Sequence, residues 1–452
     1  MPKLNLSQVL RPTEKAYTLP PACYVDEEIL TFEHERLFAG GWVSAGRVMD
    51  LAHPGDYLAF TVANTPVIAA RGDDNRLRVF ANTCRHRGMR LVPAGRGQCR
   101  QFVCPFHAWC YRLDGSLSAA PRMDGADGFD SGDFGLVEVR SEERAGFLFV
   151  NVDAQAPTLD NWLGDFEKVH EPWRLGSLVT ASQRDFTVDC NWKLFIEVFN
   201  EYYHLRKVHP NSFSAFYANP DPVDETRGAF VSQFGEHTRR GSVGVLEEAG
   251  SGLNALPGLS GRLADGTRYT WVYPGLTFAA SRDAVWALEV LPVSVSTTAV
   301  RLSLLFDSAS ASMPDFEKIL ERYEHRMAVG MDEDIVVLEA QQLGLSQIRA
   351  GAEGHAIHKS IQQLFVEAGY ETGEKDGFMQ GYFHGTGHGL GLEIHEGPSI
   401  GKRKETLESG HIVTMEPGLY YRGLGGVRIE DTVVVRDDGY ENLTTLPKVL
   451  EV

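Results

Sequence analysis

Cysteine is scarce in this chain: six among 452 residues, at 23, 84, 99, 104, 110 and 190. That is too few for a disulfide framework at this length. Positive charge is also short, with 43 Lys and Arg against 61 Asp and Glu and a formal net charge of −18. No basic face is left to neutralise phosphates, which excludes nucleic acid as the expected partner. No apolar run reaches the length of a membrane span, so no membrane partner is expected. The opening residues, Met1-Pro-Lys-Leu-Asn-Leu-Ser, lack the apolar core of a secretory signal. A reducing cytoplasm is therefore the expected location, where clustered cysteines act as ligands rather than bridges. Internal repeats and low-complexity tracts are missing too. With 43% hydrophobic and 23% charged residues, the composition is that of an ordinary globular protein.

Patterning divides the chain into four parts. Residues 1–40 read as an N-terminal arm with one helix, Glu27 to Phe38, after the Pro20-Pro21 break. Residues 41–154 alternate in short segments punctuated by Gly and Pro, which predicts a small all-β domain. Residues 155–345 combine helical stretches near 158–174 and 191–209 with strands over 268–307. A long helix from Pro314 to about Gly344 completes this α+β domain with an antiparallel sheet. Beyond 346 a helix, Ile357 to Ala368, precedes Gly-rich and His-rich turns and short strands. The expected class is multidomain α+β.

Two cysteine–histidine pairs stand out. Cys84-Arg-His86 is followed, after seventeen residues, by Cys104-Pro-Phe-His107. This order is not the usual one of zinc fingers. It suits a [2Fe–2S] cluster in which one iron takes two thiolates and the other two neutral imidazoles, a substitution that raises the reduction potential. Cys99 and Cys110 read as small core residues.

A second constellation lies about a hundred residues on, in Asn191-Trp-Lys-Leu-Phe-Ile-Glu197-Val-Phe-Asn-Glu201-Tyr-Tyr-His204-Leu-Arg-Lys-Val-His209-Pro210. Glu201 and His204 share a helical face. His209 lies about 140° further round a straight helix, so both imidazoles meet one metal only if the helix ends or distorts, and Pro210 is placed to end it. Two histidines and one distant carboxylate form the facial triad of non-haem Fe(II) oxygenases.

Together these motifs resemble the Rieske non-haem iron oxygenase α-subunits over about residues 15–345. The resemblance implies that His204 and His209 bind iron and that Glu201 bridges to the cluster of a neighbouring subunit. It also places the third ligand in Glu333-Asp334-Ile-Val-Val-Leu-Glu339-Ala-Gln-Gln342, as Asp334, with Asp332 and Glu333 as competitors. It implies O₂ as co-substrate, NAD(P)H reached through a flavin or ferredoxin-type reductase, and a homo-oligomer, trimeric in this family.

The last hundred residues resemble another family. Phe383-His384-Gly-Thr-Gly-His388-Gly-Leu-Gly-Leu-Glu-Ile-His395-Glu396, Val413-Thr-Met-Glu416-Pro-Gly and Gly425-Gly-Val-Arg428-Ile-Glu430-Asp look like the C-terminal half of pita-bread metallopeptidases. There His388, Glu416 and Glu430 would ligate a dinuclear centre, with His384 and His395 contacting substrate. Two further aspartates that such a centre requires are not found. The acidic run Asp124, Asp127, Asp130 and Asp133 sits between the cluster loops and the strand at 146–152.

The expected activity is O₂-dependent hydroxylation or N-demethylation of a small organic substrate. The arm at 18–24 and the loop at 84–91 look closest to the branch acting on quaternary ammonium compounds such as glycine betaine, choline or carnitine. Aromatic-ring hydroxylation is the alternative and peptide hydrolysis the third reading. Phe213, Phe216, Tyr217, Trp271, Tyr273 and Phe278 are either a cation-binding cage or ordinary core.

Overall fold

Short β-branched, alanine and aromatic segments build the first unit. Strands Val43–Arg47, Phe147–Asn151, Glu138–Arg144, Leu77–Ala81, Thr65–Arg71, Asp56–Val62 and Gly95–Gln98 form one antiparallel sheet in that spatial order. A three-stranded sheet, Phe102–Val103, Cys110–Tyr111 and Leu117–Ala119, stands against it. The computed structural model describes residues 6–444, apart from 8, 13, 14, 17, 18, 21, 124, 201–216, 218, 219, 239, 240, 247–251, 376 and 422–424; the side chains of 333 and 425–427 are likewise outside the description. Ile68, Ala70, Phe80, Phe102, Trp109, Tyr111 and Leu113 fill the core between the two sheets, and both cluster cysteines belong to it.

The second unit is a six-stranded antiparallel sheet ordered Val179–Val188, Thr297–Phe306, Val285–Ser294, Leu276–Ala280, Gly266–Val272 and Phe230–Glu236. Its central strands are covered on both faces, and the pleat sorts their side chains by period two. Trp286, Leu288 and Val290 enter one core, while Val285 and Ala287 enter another that also holds Phe147 and Phe149 of the first sheet. The two units are thereby fused by apolar packing. Ser44 of the first sheet adds a buried hydrogen bond to Glu289 of the second, at 3.1 Å.

Four helices position the sites. Helix α1 (Glu27–Glu33) continues as a wider turn through His34–Phe38. Helix α2 (Trp192–Phe199) is capped by Asn191, whose side chain accepts from the Lys193 N–H at 3.1 Å. Helix α3 (Phe316–Ser346) is 31 residues long, about 46 Å at 1.5 Å per residue. Helix α4 (Gly354–Glu367) packs beside its end.

Helix α3 serves two cores. Phe316, Leu320, Tyr323, Met327, Met331 and Leu338 pack into the second unit. Val336, Val337, Ala340 and Leu345 pack with Ile361, Ile400, Val413, Met415 and Val433 of the C-terminal unit. That last unit is a five-stranded antiparallel sheet, Glu396–Ile400, Gly387–Gly389, Ile412–Met415, Asp431–Arg436 and Gly439–Asn442, with two hairpins beside it. Gly344 permits the close approach: a Cβ there would lie 2.4 Å from the Met415 sulfur. Among the described residues no helix is long and apolar enough to cross a membrane.

Candidate functional site

The two cysteine–histidine loops close with matching hydrogen bonds. Gly88 N–H donates to Cys84 C=O at 2.9 Å and Cys84 N–H to Met89 C=O at 2.8 Å. In the second loop Ala108 N–H donates to Cys104 C=O at 3.0 Å and Cys104 N–H to Trp109 C=O at 2.8 Å. Gly88 and Ala108 hold equivalent left-handed conformations, with φ of 71° and 57°.

This geometry sends the side chains in two directions. Cys84 and Cys104 are each only 2% exposed. His86 and His107 stand at the rim, with ring centroids 4.8 Å apart and planes at 70°. Trp109 stacks on His86 at 5.0 Å and 8°. The buried Tyr111 hydroxyl lies 3.3 Å from Cys84 Sγ and accepts from Arg85 N–H at 3.0 Å. Burial and the neighbouring Cys84 drive the Tyr111 phenol up, so it stays protonated and available as a donor. Desolvation, His107 and Arg87 all push the His86 imidazolium down, favouring the neutral ring that a metal requires. All six cysteines are free thiols. Two inward thiols and two adjacent outward imidazoles fit a binuclear cluster with unlike irons.

Glu201, His204 and His209 lie outside the described residues, as do Phe213 and Phe216. The approach to them is described. The Lys193 ammonium pairs with Glu33 of α1 at 2.8 Å, and Trp192 Nε1 donates to the same carboxylate at 2.9 Å. The Tyr24 hydroxyl donates to Glu197 at 3.0 Å. The N-terminal arm thus anchors the first turns of the helix that leads into the histidine segment. Helix α3 packs against α2. On it Asp332 is exposed and Asp334 half-buried. Asp334 is thus the less exposed of these two carboxylates, on a helix that packs against α2.

The aromatic set divides. Tyr269, Trp271 and Tyr273 alternate with Thr270 and Val272 and share one sheet face. Phe278 pairs with Thr270 and packs with Phe166 and His170 in the opposite core. Phe278 is therefore core and leaves the proposed cage, because the pleat turns it away. Tyr269 was missed. Its ring lies 5.5 Å from Phe199 and 6.3 Å from Tyr217. Buried Arg326 was also missed; its guanidinium lies 4.5 Å over Trp286 and donates to the Tyr217 hydroxyl at 3.1 Å. A cation on the Tyr323–Met327 stripe of α3 was the available signal.

In the C-terminal unit one potential ligand atom from each of His388, Glu416 and Glu430 lies within 4.8 Å of the others. His388 Nε2 is 3.3 Å from Glu416, and its ring is 4.3 Å from His395. Burial and the nearby Glu430 raise the Glu416 carboxyl, and burial lowers His384. No aspartate joins this group among the described residues. Asp130, from the acidic run, caps the turn Ser131–Phe134 in the first unit. Moreover, Arg428 pairs with Glu416 at 3.2 Å and with Glu430 at 3.0 Å. Three convergent donors without the two further aspartates are fewer than a dinuclear centre requires, and Arg428 balances the charge of both carboxylates.

Residues 41–132 match the Rieske [2Fe–2S] domain, and residues 335–437 match metallopeptidase family M24. The first match spans the β unit that carries the two cysteine–histidine loops, and the second spans the end of α3 and the C-terminal unit. It is 33% identical over 218 residues to the glycine betaine monooxygenase oxygenase subunit of Chromohalobacter salexigens, covering 48% of this chain and 49% of that protein. It is 27% identical over 337 residues to the carnitine monooxygenase oxygenase subunit of Acinetobacter baumannii, covering 73% and 85%. A solved quaternary ammonium Rieske monooxygenase in complex with an inhibitor superposes with a TM-score of 0.63 at 26% identity, covering 76% and 89%. The chain spans about half the length of the glycine betaine relatives it matches. The M24 match begins one residue after Asp334.

Proposed function

We propose that this chain is the oxygenase component of a Rieske-type monooxygenase that hydroxylates an N-methyl group of a small quaternary ammonium compound. Glycine betaine, choline and carnitine represent the class. O₂ is the co-substrate, and NAD(P)H supplies electrons through a flavin or ferredoxin-type reductase. The observation that carries this reading is the pair of matched loops, with Cys84 and Cys104 buried and His86 and His107 together at the rim. The carnitine and betaine oxygenase subunits among its relatives support the substrate class.

When bound, the cluster supplies electrons singly and the mononuclear Fe(II) offers open positions for O₂. The residues of the chain do the rest. Cys84, His86, Cys104 and His107 hold the cluster, while Trp109 fixes the plane of His86 and Tyr111 directs a hydroxyl at the Cys84 sulfur. His204, His209 and Asp334 would hold the iron, and Glu201 would link it to the cluster of a neighbouring copy, in a trimer, as the family resemblance implies. Tyr217, Tyr269 and Trp271 offer aromatic faces to a trimethylammonium group. One oxygen atom of O₂ enters an N-methyl C–H bond, and the other leaves as water after two electrons and two protons are taken up. The resulting carbinolamine releases formaldehyde and the demethylated amine. The four cysteines outside the cluster are free thiols, which suits a reducing cytoplasm.

Anaerobically reconstituted protein, assayed with a reductase and NADH against betaines and aromatic acids, tests the reading. Formaldehyde release coupled to O₂ uptake with a betaine is expected. A cis-dihydrodiol from an aromatic acid, with no reaction of any betaine, would overturn the substrate class.

A further inference from the structure

The peptidase-like unit has a physical connection to the iron ligand helix. Asp334 and Gln341 are seven residues apart on α3, within about 20° of the same azimuth. Gln341 Nε2 donates to Asp431 Oδ2 at 2.5 Å, and the two residues are 1% and 0% exposed. Asp431 opens the strand Asp431–Arg436 and also accepts from Asn442 at 2.8 Å. Two residues before Gln341, Glu339 accepts the Asp189 N–H at 3.1 Å. Asp189 precedes Asn191, the cap of α2. A single turn of α3 is therefore tied to the C-terminal sheet on one side and to the start of α2 on the other. Such ties fix both the axial position and the rotation of a helix, because the buried Gln341–Asp431 bond in particular is costly to leave unmade.

We propose that the C-terminal unit is a positioning scaffold for the mononuclear site: through Asp431 and Gln341 it sets the position of Asp334 relative to α2. Asp431 and Gln341 are positioning residues and touch neither iron nor substrate. The same bond explains how the C-terminal unit is integrated with the second unit through one continuous helix. The proposal rests on the reading of Asp334 as an iron ligand.

The test uses full-length reconstituted protein carrying Gln341→Met, Asp431→Leu, Asp431→Asn or Asp334→Ala. Three quantities are read in each sample: Fe(II) affinity by chelator competition, the nitrosyl spectrum of the mononuclear iron, and the reduced Rieske signal as an internal measure of folding. Hydrogen exchange over residues 316–346 and 189–199 adds a metal-independent readout. Gln341→Met and Asp431→Leu are expected to weaken Fe(II) binding at least tenfold, broaden the nitrosyl signal and speed exchange in both segments, with the Rieske signal unchanged. Asp431→Asn, which keeps an acceptor oxygen, should recover most of the loss. If Asp431→Leu does not fold, Gln341→Met decides the matter, since it leaves Asp431 bonded to Asn442. If Asp334→Ala loses iron while Gln341→Met and Asp431→Leu bind it with unaltered affinity and spectrum, the scaffold role is wrong. If Asp334→Ala itself keeps iron, the ligand assignment is wrong instead, and the scaffold proposal falls with it.

Discussion

Trp109 lies flat against His86, with ring centroids 5.0 Å apart and planes 8° from parallel. The indole is buried in the core beneath the cluster loops while the imidazole reaches the rim. Trp109→Ala is expected to cost about 3–5 kcal/mol of stability, as for other buried aromatics, and to release the His86 ring. Thermal unfolding of the loaded protein, followed by visible absorbance, measures both. Trp109→Phe should restore most of the stability. An unchanged midpoint for the alanine variant would mean that the stack is incidental.

Tyr111 addresses the other end of the loop. Its hydroxyl is 3.3 Å from Cys84 Sγ, and hydrogen bonds to cluster sulfurs raise the reduction potential. Tyr111→Phe should lower the midpoint potential in a redox titration without changing iron content. A potential equal to wild type would assign that hydroxyl to the Arg85 N–H alone.

Glu289 predicts a pH dependence. It is buried between the two large sheets, and burial pushes its carboxyl up to about 7 from an ordinary 4.5. Between those values the folded protein holds a proton that the unfolded chain has released, so stability falls as pH rises through this window. Glu289→Gln should flatten that slope and stabilise the protein above pH 7, by about 3 kcal/mol at most. Parallel pH-dependent melts of the two proteins decide it; identical slopes would exclude Glu289 as the source.

The C-terminal unit should not hydrolyse peptides. Arg428 between Glu416 and Glu430 predicts no cleavage of Xaa-Pro dipeptides with manganese, cobalt or zinc. Robust metal-dependent cleavage, abolished by Glu430→Gln, would show that the missing ligands are supplied from elsewhere.

The Rieske domain was legible because its four candidate donors fall within 24 residues, in two turns whose local geometry is set by the residues themselves. The first sheet and the strands over 268–307 followed from period-two runs, and α3 from its apolar stripe, whereas the outer strands Val179–Val188 and Phe230–Glu236 were not read. Other features depend on contacts distant in sequence. Gln341 meets Asp431 across ninety positions, and no pattern in either segment signals the partner. A cut at 345/346 suits the change in composition, yet Val337 and Ala340 already belong to the C-terminal core. Whether Phe278 was cage or core stayed open in the sequence because aromatic content does not reveal the phase of the pleat, and only strand register does. Asp334 was reached through family resemblance, since three acidic residues in a row at 332–334 look alike in sequence.

Single turnover separates electron storage from oxygenation and tests the central claim most directly. Wild-type protein, reduced anaerobically, freed of reductant and mixed with O₂ and glycine betaine or carnitine, should release formaldehyde without further electron supply. His204→Ala and Asp334→Ala should show the same reduced Rieske signal and release none. Glu201→Gln should keep both metals and form product far more slowly. Formaldehyde release at the wild-type rate from His204→Ala and Asp334→Ala would contradict the account.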